Sequence, residues 1–147
     1  MSGLEDFARL VDGDHGLCVV STLRPDQTIA SSVVNAGVLP HPVTGDQVVG
    51  LVSRGDAQRL AHLRARPRAT VAIRAGWQWA AVEGPAELIG PDDPAAGVDA
   101  ERLRLLLREI FTAAGGTHDD FDAYDQVMAA ERRVAVLVSP ARVSPRG

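Results

Sequence analysis

Hydrophobic residues along this chain change their period several times, and each change marks a candidate element. Leu4, Phe7, Ala8 and Val11 recur at helical spacing and predict a short helix over 4–11. Residues 17–23 (LCVVSTL) are apolar and β-branched. Arg24-Pro25-Asp26-Gln27 then supplies turn chemistry and 28–34 resumes an extended pattern, so the stretch reads as a β-hairpin. A third strand is expected at 47–52, with 37–45 as a connection because it holds Pro40, Pro42 and Gly45. Ala57, Leu60, Ala61 and Leu63 give one apolar side to a helix over 56–64, which stops before Pro67. Strands at 69–74 and 77–89 follow, joined through Ala75-Gly76. The stretch GPDDPAAG is a loop by composition, and Asp99 caps a helix running to about Thr112 whose buried face is Leu103, Leu106, Leu107 and Ile110. A loop over 113–120, a helix over 121–130 and an apolar strand over 134–138 complete the pattern.

Five or six strands with short antiparallel connections and few helices predict a mainly β fold, a small barrel with helices packed outside it. A doubly wound parallel sheet is excluded by this order, and no GxGxxG follows a strand. The 147 residues suit one domain over 1–147, large enough for a core without disulfides or structural metal. MSGLEDFARL carries acids and no long apolar run, so a cytoplasmic protein with no membrane partner is expected. Cys18, the sole cysteine, lies in an apolar run and reads as a small core residue. The chain has no lysine, which removes Schiff-base chemistry of the pyridoxal-phosphate and aldolase kind.

Charge sharpens the picture at one place. Residues 53–74 hold six arginines against one acid, Asp56, in a chain of net charge −4. Ser53, Arg54, Gln58 and Arg59 sit where a strand ends and a helix begins, with His62 one turn beyond Arg59. Unsatisfied amides and the positive helix end attract anions at such a junction, and a phosphate is the expected ligand. The alternative is a solvated basic helix face with Asp56 as an ordinary cap. Nucleic acid is not expected, because the surrounding charge is acidic. Trp77 and Trp79 alternate on one expected strand and should share a face, against a flat partner or within packing. His118, Asp119, Asp120, Asp122 and Asp125 match no metal motif and read as a helix start, so no metal is expected. No nucleophile elbow is present, and any chemistry belongs to a bound cofactor.

Three blocks together, GLCVVSTLRPDQTIASSVV, SRGDAQRLAHLRARPRATVAI and GWQWAAVEGPAELIGPDD, resemble the flavin/deazaflavin oxidoreductases of the pyridoxamine-phosphate-oxidase-like class. The tail HDDFDAYDQVMAAERRVAVLV is similar to the acidic helix and last strand of the branch that uses the deazaflavin coenzyme F420. The resemblance implies a split β-barrel homodimer with a cofactor at each of two sites between subunits. It places Arg59 at the position of a phosphate-binding lysine or arginine, with Ser53, Arg54 and Gln58 beside it. His62 stands where asparagine is common, and Trp77 and Gln78 match the strand that approaches the ring. Ala57 stands where relatives can carry a second arginine, for which Arg54 substitutes or which leaves a weaker phosphate grip. The tail VSPARVSPRG lacks the substrate motif of true pyridoxamine-phosphate oxidases. The activity implied is hydride transfer from reduced coenzyme F420 to a small unsaturated acceptor, with no catalytic side chain assigned. The alternatives are an FMN oxidoreductase of the same fold and a non-catalytic flavin-binding protein.

Overall fold

The structure is a computed structural model that describes residues 3–145. These residues form helices α1 (Gly3–Val11), α2 (Gln58–Ala65), α3 (Ala100–Ala113) and α4 (Phe121–Ala130). They also form strands β1 (Leu17–Leu23), β2 (Ile29–Pro40), β3 (Gln47–Ser53), β4 (Arg68–Ala75), β5 (Gln78–Ile89), β6 (Val134–Val138) and β7 (Arg142–Ser144). No helix among the described residues is long and apolar enough to cross a membrane.

Six strands close a barrel in the order β1-β2-β3-β6-β5-β4, every pair antiparallel, and β7 adds to the outer edge of β5. Two long strands make this possible by changing partners partway. Residues 29–35 of β2 pair with β1, whereas 36–40 pair with β3. Likewise 78–85 of β5 pair with β4 and 86–89 with β6. The barrel is therefore two sheets sharing two strands, with Phe7 of α1, Val20, Leu51, Val71, Val82 and Val136 among its core. A second core lies outside, where α3 and α4 set Leu106, Ile110 and Tyr124 against Leu39, Val48 and Leu137. Strand β6 is covered on both faces, which accounts for its unbroken apolar sequence VAVLV.

The fold confirms the expected barrel and corrects three local expectations. Residues 37–40 continue β2 and are not a connection: Gly37 is there because a Cβ would fall 2.3 Å from the carbonyl of Ala113, at the end of α3. Strand β5 begins at Gln78, one residue after Trp77, because the positive φ of Gly76 places Trp77 in the turn. A short strand, β7, occupies the tail. Cys18 is buried in the core, its thiol pushed up to about 12 by desolvation.

The two outer helices are locked by charge. Asp125 of α4 accepts from Arg108 at 2.5 and 2.9 Å and from Arg104 at 2.7 Å, both on α3. Asp99 and Asp120 cap the two helices, accepting from the amides of Arg102 and Ala123. The Arg108 hydrogen bonds, with Arg104 behind them, hold the Asp125 carboxyl below the usual carboxylate range. A depressed native pKa contributes stability above the unfolded value, about 4, that is lost as pH falls through the native one. Asp125→Asn should therefore lower the melting temperature at pH 7 and flatten its fall between about pH 5 and 2. Calorimetric scans across that range check this; an unaltered acid slope would contradict it.

Candidate functional site

The first turn of α2 carries the most unusual side chain. Ala57 occupies the N-cap position and no side chain caps the helix; Asp56, the expected cap, leans instead toward Arg54 at 3.4 Å. Arg59 reaches back across the strands, its Nη1 donating to Ser53 Oγ and its Nη2 to Ser32 Oγ, each at 3.0 Å. Ser53 is fully buried and its hydroxyl donates to the carbonyl of Arg54. The Arg59 Nε is buried without an acceptor, and no carboxylate pairs with this guanidinium among the described residues. Burial lowers its pKa, and the positive charge of Arg133 lowers it further. Four neighbouring arginines face acids: Arg54 faces Asp56, Arg133 faces Glu131 at 2.6 Å, Arg64 faces Asp93 at 2.6 Å and Arg132 faces Asp92 at 2.7 Å. Arg24 donates to Thr28 and the Ile29 carbonyl and Arg66 to the Leu23 carbonyl, which leaves Arg59 as the half-buried cation with an unmet N–H among the described residues.

Two cavities meet at that cation. The larger, about 660 Å³, has apolar walls from Val33 on β2, Val52 on β3, Phe111 on α3 and Met128 on α4, with Arg54, Arg59 and Arg133 at its polar side. The smaller, about 210 Å³, is lined by polar groups of Thr22, Arg24, Ser31, Ser32, Gln58 and His62. His62 Nδ1 and Thr22 Oγ1 are 3.1 Å apart. No acidic side chain lines either cavity among the described residues. Tyr124 faces the larger cavity, but its hydroxyl donates to the Leu107 carbonyl at 3.0 Å and burial pushes it up to about 12. The arrangement suits an elongated ligand: a flat, apolar part in the cleft, one negative charge at Arg59, and a polar continuation beyond it. A flavin-type cofactor matches that donor set, because Arg59 lacks the anion that its burial calls for.

Of the residues expected from sequence, Arg54 and Arg59 line the cleft, Gln58, Arg59 and His62 line the small cavity, and Ser53 anchors Arg59 from beneath. Trp77 and Gln78 are not brought to the cleft within one chain. Trp77 is 99% exposed in the β4–β5 turn, and Gln78 accepts from Arg9 at 3.1 Å. The remaining arginines of the run are occupied elsewhere, Arg66 donating to the Leu23 carbonyl and Arg68 facing Glu83. Sequence reasoning missed Ser32, Arg133 and the wall from α3 and α4. Only the doubled arginine of ERRVAVLV hinted at the second of these.

Beside the cleft lies an apolar sheet face. Register places Val33, Val19 and Ala72 in one row across β2, β1 and β4, with Leu17 and Trp79 adjoining. Val33 is 66% exposed and Trp79 48%, and together these residues line a depression of about 650 Å³. Val33 borders both the depression and the cleft.

No family model matches the sequence. Solved structures do resemble the fold. One is a conserved hypothetical protein from Mycobacterium tuberculosis, 19% identical, with a TM-score of 0.64 over 97% of this chain and 82% of that one. An F420 reductase is 18% identical with a TM-score of 0.60 over 98% of both chains. A pyridoxamine 5'-phosphate oxidase-related, FMN binding protein from Nostoc punctiforme is 12% identical with a TM-score of 0.62, covering 95% of this chain and 81% of that one. The six-stranded closed barrel built on two partner-switching strands is thus the split-barrel fold of the pyridoxamine-phosphate-oxidase-like proteins.

Proposed function

We propose that the protein is an oxidoreductase that holds reduced coenzyme F420 and passes a hydride to a small unsaturated acceptor. The observation that carries the reading is Arg59, a half-buried guanidinium without a carboxylate, set where two cavities meet, the larger with an apolar wall from Val33, Val52, Phe111 and Met128. Leaving such a group unpaired costs about 1–3 kcal/mol, which a bound oxyanion recovers. Shape favours the deazaflavin over FMN: its phosphate is a diester whose chain continues past the phosphate, and the second cavity beyond Arg59, with Arg24 in its wall, offers that continuation a path. The F420 reductase among the similar structures supports the same reading.

When bound, the deazaflavin supplies a hydride from its ring C5. The chain's own part is placement. Arg59 and Ser32 hold the phosphate, while Val33, Val52, Phe111 and Met128 exclude water around the ring. A second copy of the chain covers the exposed face of Val19, Val33 and Trp79, which makes the working unit a homodimer. Because Val33 belongs to both surfaces, the partner borders the cleft and its β4–β5 turn, with Trp77 and Gln78, can approach the ring.

Three outcomes follow from this assignment. In fluorescence titrations the protein should bind F420 more tightly than FMN, and reduced F420 should be oxidised by enones or quinones. Tight FMN binding without F420 binding would overturn the choice, and F420 binding without turnover would leave a binding protein. Arg59→Met keeps the aliphatic stem and removes the charge. Coenzyme affinity should fall by about 1.5–3 kcal/mol, whereas the ligand-free protein should melt higher, by about 0.5–2 kcal/mol of stability. Unchanged affinity would return Arg59 to the solvated basic face. Sedimentation should show a dimer that Val19→Asp converts to monomer; a monomeric parent protein would exclude the partner-bordered cleft.

A further inference from the structure

Hydride transfer to a polarised double bond leaves the acceptor needing a proton, and the cleft offers few groups able to give one. Arg54, Arg59 and Arg133 stay charged at any working pH. The Tyr124 hydroxyl is committed to the Leu107 carbonyl and held up to about 12. The Thr117 hydroxyl is too weak an acid. His15 remains, and imidazole is the side chain that exchanges a proton near neutrality.

The backbone around His15 is fixed from three sides. It follows α1 in a tight turn, with the Gly16 amide donating to the Val11 carbonyl at 2.9 Å and the Leu17 amide to the Asp14 carbonyl at 3.1 Å. Asn35, where β2 changes partner, donates from Nδ2 to the His15 carbonyl at 2.7 Å, and the Ala36 amide donates to the Gly16 carbonyl at 2.9 Å. Behind it, Gly16 touches the end of α3: a Cβ there would lie 2.5 Å from the Ala114 carbonyl oxygen. His15 itself takes the left-handed conformation, φ 57°. A residue other than glycine held so persists where its surroundings over-determine it, and such strain gathers at functional sites. His15 lines the cleft, and its ring makes no hydrogen bond to any described residue.

We propose that the His15 imidazole is the proton donor of this cleft. The inference rests on the reading of the cleft as a site for a reduced deazaflavin and an unsaturated acceptor. One carbon of the acceptor double bond takes a hydride, two electrons and a proton, from the reduced carrier, which is oxidised. The other carbon, or the oxygen conjugated to it, takes the proton released by the imidazolium ring N–H. The ring is left neutral and regains its proton from water, to which His15 is exposed.

Two readouts on the full chain test this. His15→Asn assigns the His15 Cε1–H signal in 1H–13C spectra of histidine-labelled protein, since asparagine tolerates the left-handed backbone. Titration with oxidised F420 should shift that signal and leave His41, paired with Glu87 outside the cleft, in place. Binding seen by fluorescence without a shift of His15 would overturn the proposal alone. No binding at all would overturn it together with the reading it rests on. In stopped-flow oxidation of reduced F420 by 2-cyclohexenone, His15→Asn should lower the rate by about 10²-fold or more, with coenzyme affinity within about twofold of the parent. An undiminished rate would rule His15 out as the donor, and the NMR shift tests the place of its ring beside the coenzyme independently of the acceptor used.

Discussion

One strand serving two sheets is the constraint on which the rest depends. At Asn35 and Ala36, β2 leaves β1 and joins β3. The parts of the cleft gather around that change of partner. Gly37 admits the end of α3, Gly16 admits the turn after α1, Val33 forms the floor, and Ser32 meets Arg59 arriving from α2. The Arg104–Arg108–Asp125 cluster then holds α3 and α4 together, so that Phe111 and Met128 stand as the opposite wall.

Against this apolar frame the electrostatics are simple. Arg54, Arg64, Arg132 and Arg133 face acids of their own, whereas Arg59 is buried beside another cation with one N–H unmet. Within a single chain that is a cost without a return, and proteins retain such costs where a ligand recovers them. An elongated anionic ligand with a flat apolar part is the ligand chemistry that suits both the unmet guanidinium and the paired cavities.

Much of this was legible in the sequence. Helical spacing located α1, α2 and α3, and Asp99 announced the start of α3 because an aspartate before an apolar periodic run caps a helix. Arg59 stood out through position: strand end, helix start and a local excess of charge. What escaped was set by contacts distant in sequence. Pro40 made 37–40 look like a connection, and the contact that accounts for Gly37 in the strand, the end of α3, lies more than seventy residues away. Asp56 looked like a cap, yet its side chain turned to Arg54. Ser32 carries no local signal of function and Arg133 only that of a doubled arginine; closure of the barrel is what brings both near Arg59.

The most direct test is a crystal structure of the protein grown with coenzyme F420. The phosphodiester should lie within hydrogen-bonding distance of the Arg59 guanidinium, beside Ser32, with the deazaflavin ring between Val33 and Phe111 and the tail leaving past His62. A phosphate seated away from Arg59, with that guanidinium still unpaired, would contradict it.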